Sequence, residues 1–358
     1  MKTHITCICI IALQILQTSC NKIELSESNP EIARYTGDSY GELKSPFIHY
    51  PDSNATDHET TWTCVEFGSY PQAEVLAAPT TAVDDYALDT DNTIIDATLY
   101  ATLQQATWQN NETTIDGTKY RRMTSTDAVR ADTDSRGHYR WGSLSEYHYF
   151  KYQPVCWRIL NITGNTAILL ADKALDCQRF NDTQQEVNWS TCSLRQWLNS
   201  NVYNTMFTDT ERQSIILSEV QNPINYYFGT SCGPDTQDNI YILDEHEVFC
   251  DQQAVSYGFL NTDGIDDPAR RFRPTMYAKC RGVWISPVES YKGNTFWLMR
   301  STGYTALNVP YVCEFGYLYN RGTLVNCDDS GIIPVIQVNL ATSNLQSVGT
   351  ISSNEVIQ

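Results

Sequence analysis

The chain has 358 residues, of which 42 are acidic and 24 are basic, so its formal net charge is -18 at pH 7. This charge repels nucleic-acid phosphates and anionic membrane surfaces, and the sequence contains no long run of lysine or arginine to offset it. We therefore expect no nucleic-acid partner, and we expect membrane association to depend on a lipid rather than on basic side chains.

The first twenty residues have the layout of an export signal. Lys2 and His4 precede an apolar stretch at residues 5–16, which is shorter than a membrane-spanning helix requires. A Leu-x-x-Ser-Cys sequence then ends at Cys20 and resembles a bacterial lipobox. We predict that residues 1–20 are a lipoprotein-type signal peptide, with an ordinary cleaved signal as the alternative. Lipidation of Cys20 would anchor the exported protein to a bacterial membrane, at the cell surface or in the periplasm.

The rest of the sequence predicts one large α+β domain. Residues 21–60 are polar and lack periodicity, which indicates a flexible tether. Residues 61–342 are rich in aromatic residues, and no Pro, Gly or Ser linker divides them, so we assign them to a single domain. Residues 343–358 are polar and form either a terminal strand or a loose tail.

Within this domain the pattern predicts antiparallel strands mixed with short helices. Residues 155–170 form a hairpin, because two β-rich runs flank a Gly turn. Residues 194–198 place apolar side chains on one helix face, and residues 208–211 are a capping box that begins a second helix. Residues 239–243 predict a strand, and short aromatic runs broken by Gly predict an antiparallel meander after Trp284. This order indicates α+β rather than a parallel βαβ sheet.

Nine cysteines follow Cys20, and an oxidising compartment favours disulfides between them. The sequence has no Cys-x-x-Cys pair and no His-rich segment, so it does not predict a zinc site. Three pairs are separated by short loops, and we expect at least one of them to be oxidised. The candidate pairs are Cys177 with Cys192, Cys232 with Cys250, and Cys313 with Cys327.

Several aromatic and arginine residues are predicted to hold the domain together. Arg158, Arg195 and Arg300 each lie in an apolar or aromatic motif, where burying an unpaired charge is costly. We therefore expect each guanidinium to bind carboxylates or carbonyls. Arg300, beside Trp297, could instead face a ligand and bind it through the paired N–H groups of its guanidinium. The residues assigned structural roles are Trp157, Arg158, Arg195, Trp197 and Trp297.

The aromatic content supplies the strongest functional indication in the sequence. The chain has 22 tyrosines and 8 tryptophans, and Tyr and Asn recur in the Gly-punctuated C-terminal region. Such residues on loops suit recognition of sugars or proteins, although packing within the domain is the alternative role. The predicted ligand-binding residues are Tyr304, Asn308, Tyr311, Tyr317, Tyr319, Asn320 and Arg300.

Acidic residues suggest two further chemistries. Asp244, Glu245 and Glu247 could supply paired carboxylates for glycoside hydrolysis, but their position at a helix start favours capping. The acidic loops at residues 84–92 and 263–267 could bind calcium, although neither has the spacing of an EF-hand. We assign no catalytic residue, and we expect no cofactor apart from calcium as a candidate.

Five motifs occur along the domain in a specific order. They are Phe67-Gly68-Ser69-Tyr70-Pro71-Gln72, Tyr120-Arg121-Arg122, Tyr149 to Leu160, Leu194-Arg195-Gln196-Trp197-Leu198-Asn199, and Trp297-Leu298-Met299-Arg300-Ser301. This order resembles the bacterial family described as domain of unknown function DUF6273, over about residues 62–340. The Gly-punctuated C-terminal half is also similar in plan to C-type-lectin-like domains, including the formylglycine-generating enzymes.

These observations predict a lipid-anchored binding or adhesion protein that recognises an extracellular glycan or protein. An enzyme acting on surface glycans or proteins is one alternative, but the sequence shows no converging acid and base. A structural component of the cell envelope is the other.

Overall fold

The computed structural model describes residues 42–49, 58–79, 92–133, 137–250, 252–260 and 266–353. All of them belong to one compact unit, Glu31–Gln358. The predicted signal peptide and its lipidation site, Cys20, lie outside the described residues. So do most of the predicted tether and most of the two acidic loops.

The described strands are short except for two that run through the centre of the larger sheet. The strands are β1 (Phe47–His49), β2 (Glu59–Leu76), β3 (Thr93–Ile95), β4 (Glu112–Ile115), β5 (Thr118–Met123), β6 (His148–Thr163), β7 (Thr166–Ala171), β8 (Asp176–Cys177), β9 (Ser218–Val220), β10 (Thr236–Asp238), β11 (Trp297–Leu298), β12 (Asn308–Val312), β13 (Leu318–Leu324), β14 (Gly331–Ile332), β15 (Val335–Asn339) and β16 (Ser347–Ser352).

The helices are brief and connect the strands. The α-helices are α1 (Ala97–Gln105), α2 (Ser193–Trp197), α3 (Tyr203–Met206), α4 (Asp209–Arg212), α5 (Gln252–Ser256), α6 (Met276–Arg281) and α7 (Leu340–Ser343). Two π-helical turns, Leu198–Val202 and His246–Cys250, and three 3-10 turns, Ser125–Asp127, Pro268–Arg270 and Glu289–Tyr291, complete them. None of the described helices is long and apolar enough to cross a membrane.

The larger sheet has nine strands and forms around the antiparallel pair β2 and β6. β1, β3 and β16 also pair with β2, while β5 and β7 pair with β6. β2 bends at Gly68, which has a φ of 68°, and a Cβ there would lie 2.6 Å from the ring of Phe207. A glycine is therefore required where the strand bulges against this ring. Trp157 on β6 is fully buried, and its indole donates a hydrogen bond to the carbonyl of Phe67 at 2.7 Å.

The smaller sheet has the strand order β13-β12-β11-β14-β8, and a third sheet consists of β9 and β10. β11, β12 and β13 are antiparallel neighbours, whereas β14 runs parallel to β11. The core of the sheet contains Trp297, which is 1% exposed and donates its indole N–H to the carbonyl of Arg270 at 3.0 Å. The α+β class predicted from the sequence is confirmed.

Most predicted elements form, with differences at their ends. The hairpin is present as β6 and β7 with a turn at Gly164, and the capping box between Thr208 and Glu211 is present. The strand predicted at residues 239–243 is wrong, since this segment makes only an isolated bridge from Tyr241 to Val335. The side-chain oxygen of Asn199 takes the neighbouring backbone N–H groups instead, so no ladder continues there. The predicted meander is also incomplete, because β14 is parallel to its neighbour.

The predicted disulfides are not formed. None of the nine cysteines among the described residues is in a disulfide, and these include both members of Cys177 with Cys192, Cys232 with Cys250, and Cys313 with Cys327. Some of these thiols make hydrogen bonds instead. Cys192, for example, caps α2 by accepting the backbone N–H of Arg195, and Cys327 donates to Asp329 Oδ1 at 3.0 Å.

The predicted structural arginines are buried or partly buried with partners. Arg158 donates to Asp172 Oδ1 at 2.8 Å, and its guanidinium lies over the rings of Trp62 and Phe272. Arg195 donates to Asp238 Oδ1 at 2.7 Å. Each of these pairs joins segments from different elements. Trp197 is half-buried at the end of α2, against the core.

Candidate functional site

Side chains alternate across the strands of the smaller sheet and separate its core from a partly exposed aromatic face. Val312 on β12 pairs with Leu318 on β13, and both are buried with Trp297. Tyr311 and Tyr319 are also cross-strand partners, one residue along each strand, so they point to the opposite face. Their rings are parallel within 4°, with centroids 4.9 Å apart, and Tyr319 is 44% exposed.

This pair is the centre of a longer series of ring contacts. Phe296 extends it on one side, 5.5 Å from Tyr311, and Tyr317 extends it on the other, 5.6 Å from Tyr319. Further contacts of 5.1 to 6.1 Å continue the series at both ends. We call these seven residues, of which Tyr319 is exposed and the other six are half-buried, the aromatic strip: Trp284, Phe296, Tyr311, Tyr319, Tyr317, Phe315 and Tyr291.

The two central tyrosines of the strip, Tyr311 and Tyr319, are uncharged at neutral pH. Burial raises the pKa of Tyr311 first, and the neighbouring Tyr319 raises it further. Burial likewise raises the pKa of Tyr319. Tyr311 and Tyr319 therefore present flat, uncharged faces with hydroxyl groups at their edges, in a protein with a large negative charge.

A second group of aromatic residues lies on loops beside β13. Arg321, two residues after Tyr319, lies over the ring of Tyr304 at 4.9 Å, and Tyr304 contacts Phe228 at 5.3 Å. Ring contacts then continue through Tyr227 to Tyr226, which is 61% exposed. We call Tyr226, Tyr227, Phe228 and Tyr304 the loop cluster.

The loop cluster leads to a polar pocket of about 320 Å³. Tyr226 contacts the ring of His246, which lines this pocket. Arg300 lies in its wall and binds Asp244 at 2.8 Å and Glu247 by a short contact. The two residues also form a reciprocal capping arrangement, since the backbone N–H of each donates a hydrogen bond to the carboxylate of the other. Burial raises the pKa of Glu247, and the nearby Arg300 opposes this shift.

The structure brings together part of the predicted ligand-binding set. Tyr311, Tyr317 and Tyr319 lie in the strip, and Tyr304 lies in the loop cluster. Arg300 is 3% exposed and ion-paired below the surface. The other two predicted residues stand beside the strip: Asn308 accepts a hydrogen bond from Thr305 Oγ1 at 2.8 Å, and Asn320 is half-buried next to Tyr319 on β13.

Sequence reasoning missed several of the aromatic residues at this surface. Trp284, Tyr291 and Phe296 come before the region that the sequence singled out, and Tyr226 to Phe228 come from a distant loop. The high density of aromatic residues in these segments could have identified them as candidates. Which of them face solvent depends on strand register and on loop contacts such as that between Phe228 and Tyr304, which are 76 residues apart.

The candidate calcium ligands that are described have protein partners. Asn92 accepts a hydrogen bond from Lys173 Nζ at 3.0 Å, and Asp266 accepts one from the hydroxyl of Tyr291 at 2.9 Å. Asp267 is buried, caps the turn Pro268–Arg270 and pairs with Arg270. The remaining acidic residues of both loops lie outside the described residues.

Comparison with known proteins identifies a family. Residues 164–338 match the model described as Domain of unknown function (DUF6273), which confirms the resemblance over a shorter range than the motifs suggested. The aromatic strip, the loop cluster and the Arg300 pocket all fall within this range. No curated protein and no solved structure matches the chain.

Proposed function

We propose that this protein, whose residues 164–338 match the DUF6273 family model, binds an extended neutral glycan along the aromatic strip. The observation that carries the proposal is the unbroken series of contacts between seven rings, of which one is exposed and six are half-buried. Soluble proteins rarely leave so much contiguous aromatic surface without a partner.

The chemistry of the strip suits sugars. A flat phenol or indole ring offers an apolar face to the C–H side of a sugar ring, while tyrosine hydroxyls supply hydrogen bonds at the edge. The net charge of -18 disfavours acidic polymers, so a neutral, hydroxyl-rich chain is the best match. A series of seven rings in successive contact also offers several neighbouring positions for the units of a polymer.

The loop cluster and the Arg300 pocket extend this surface. Ring contacts run from Arg321 and Tyr304 to His246, so a glycan that leaves the strip beside β13 would meet the polar pocket. Hydroxyl groups of a terminal sugar suit a pocket that contains carboxylates, phenols and amides.

The cellular setting is part of the proposal. We infer export and lipidation at Cys20 from the lipobox-like sequence, which would place the strip outside the cytoplasm. We also propose that the C-terminal half shares the plan of C-type-lectin-like domains, which is supported by the β11 to β13 meander and its loops.

The enzymatic alternative has less support. Three carboxylates line the pocket, and two of them, Asp244 and Glu247, are bound by Arg300 and by backbone N–H groups of the helix start, which leaves the exposed Glu219. A glycosidase needs one carboxylic acid and one carboxylate that are available to the substrate. An envelope component without a ligand would not need the exposed strip.

Binding of residues 21–358 to an array of glycans and proteins tests the proposal. The probe should include the C-terminal residues, because β16 pairs with β2 inside the larger sheet. We expect selective capture of neutral polysaccharides. Capture of proteins alone, or of nothing on the array, would contradict a glycan-binding role.

Substitution of the central rings locates the binding surface. Tyr319→Ala and Tyr311→Ala should each weaken glycan binding about tenfold, since central aromatic contacts contribute more than about 1 kcal/mol. Tyr147→Ala is the matched control, because Tyr147 is 38% exposed but contacts Arg122 rather than the strip. Equal affinities for all three variants would place the glycan elsewhere.

A further inference from the structure

Four polar side chains from separate parts of the chain meet in the interior of the larger sheet. Glu74 comes from β2, His148 begins β6, Cys280 lies on α6, and Tyr139 comes from the segment before β6. His148 Nδ1 lies 2.6 Å from Glu74 Oε1, and Cys280 Sγ lies 4.0 Å from Glu74 Oε2. The hydroxyl of Tyr139 donates to Glu74 Oε1 at 3.1 Å.

The three metal-ligating side chains point their donor atoms at one another. One donor atom each from Glu74, His148 and Cys280 lies within 4.8 Å of the other two. Glu74 and Cys280 are fully buried, and the side chain of His148 is 12% exposed. Glu74 and His148 also line a pocket of about 230 Å³, which supplies an entry path.

Two buried ring nitrogens beside the cluster lack hydrogen-bond partners among the described residues. They are His148 Nε2 and the indole nitrogen of Trp141, whose ring is 4.5 Å from that of His148. Buried polar atoms are normally satisfied, so these orphans indicate that a bound species or ordered water belongs here.

We propose that Glu74, His148 Nδ1 and Cys280 Sγ form a zinc site, with the fourth position open to the pocket. One sulfur, one nitrogen and one oxygen donor suit Zn²⁺ better than Ca²⁺ or Mg²⁺, which take oxygen ligands. Zinc bonds of about 2.0 to 2.3 Å place neighbouring donor atoms about 3.3 to 3.6 Å apart. The donor atoms already lie within about an ångström of this arrangement, and the hydrogen bond between Glu74 and His148 occupies the place of the ion.

The same geometry does not support a cysteine nucleophile. Such a nucleophile needs its thiol hydrogen-bonded to an imidazole nitrogen, with the other nitrogen oriented by a third group. Here Nδ1 faces Glu74, and Nε2 has no partner among the described residues. The sequence could not reveal the cluster, because its members are separated by 74 and 132 residues and no two share a motif.

Cobalt substitution tests the site in the mature protein. Residues 21–358, freed of metal by a chelator, should bind one Co²⁺ per chain with a thiolate-to-cobalt charge-transfer band, and Zn²⁺ should displace it and remove the band. Cys280→Ser should abolish the band. Cys327→Ser is the matched control, since this thiol is half-buried beside Asp329, and it should leave the spectrum unchanged.

His148→Gln keeps the test decisive if Cys280→Ser fails to fold, because His148 lies at the partly exposed edge of the cluster. This variant should lower Zn²⁺ affinity at least tenfold in a competition titration with a chromophoric chelator. Absence of Co²⁺ or Zn²⁺ binding by the folded wild type would overturn the proposal. Persistence of the charge-transfer band in Cys280→Ser would also overturn it.

Discussion

Adjacent residues have different surroundings at the start of β11. Phe296, the residue before this strand, is half-buried in the aromatic strip, whereas Trp297, its first residue, is buried against Phe272 with ring centroids 5.5 Å apart. Successive side chains of an extended chain point to opposite sides. Composition indicated an aromatic surface, but only the structure shows which rings form it.

Replacement of Trp297 should lower the free energy of unfolding much more than replacement of Tyr319 does. Trp297→Ala removes a fully buried ring and its hydrogen bond to Arg270, so we expect the free energy of unfolding to fall by about 3 to 5 kcal/mol. Tyr319→Ala should change it by less than about 0.5 kcal/mol, because Tyr319 is exposed. Chemical denaturation of both variants measures the difference. Similar losses in the two would show that the strip is part of the core.

Glu245 should make stability depend on pH. Burial raises its pKa from the ordinary 4.5 to about 7, although hydrogen bonding to the Tyr226 N–H and the charge of His246 oppose this shift. The folded protein then binds this proton more tightly than the unfolded chain does. Its contribution to stability is therefore present below pH 4.5 and is lost as the pH rises to about 7.

Glu245→Gln should remove this loss. We expect the melting temperature of the variant to rise relative to wild type as the pH increases from 4.5 to 8, because the amide cannot ionise. Glu289→Gln, at an exposed glutamate, is the control and should show no such trend. A constant difference between wild type and Glu245→Gln across this range would refute the assignment.

At the level of elements, the β12 and β13 hairpin aligns the centre of the strip. The register shifts between Val309 and Tyr311, and Gly322 on β13 lies opposite this bulge with a φ of 80°. A Cβ on Gly322 would lie 2.4 Å from the carbonyl oxygen of Val309. The glycine therefore permits the close approach that places Tyr311 opposite Tyr319.

Gly322→Ala should destabilise this hairpin in two ways. It places an alanine at a positive φ, and its Cβ also meets the backbone of Val309. Gly117 is the matched control, since its φ is 78° but an added Cβ meets no atom within 4 Å. We expect Gly117→Ala to cost about 1 kcal/mol and Gly322→Ala clearly more. Hydrogen exchange should show faster exchange of β12 and β13 amides only in Gly322→Ala. Equal effects would mean that the contact with Val309 is unimportant.

Local signals predicted the elements unevenly, and the reason is the range of the interactions. The capping box at Thr208 and the turn at Gly164 depend on a few neighbouring residues, and both were predictable. The strand predicted at residues 239–243 failed because Asn199, forty residues away, takes its backbone donors. A local pattern carries no information about such a competitor.

At the scale of the whole molecule, the larger sheet joins segments that the sequence assigned outside the domain. Phe47–His49 in the predicted tether pairs with β2, and so does Ser347–Ser352 near the C-terminus. The terminal strand that the sequence offered as one alternative for residues 343–358 is confirmed, whereas the pairing of Phe47–His49 was not predicted, because the residues around it are polar. Other long-range contacts assemble Glu74, His148 and Cys280, which no spacing rule could connect.

The proposed membrane anchoring predicts a specific role for Cys20. Cys20→Ala should release the protein from the membrane fraction or stall its maturation, because the acyl attachment point is lost while the export signal remains. Cys7→Ala, a cysteine within the predicted signal, is the control and should leave fractionation and lipid labelling unchanged. Normal labelling of Cys20→Ala would show that this residue is not the lipid site.

Calorimetric titration with neutral oligosaccharides of increasing length, from the polysaccharide that the array selects, tests glycan binding along the aromatic strip most directly. If sugar units stack on successive rings, affinity should rise with each added unit until the strip is filled and then level off. In the Tyr311→Ala/Tyr319→Ala double variant this rise should disappear, while the folded state remains intact. Affinity that does not depend on length, or a rise that survives the double substitution, would contradict the account.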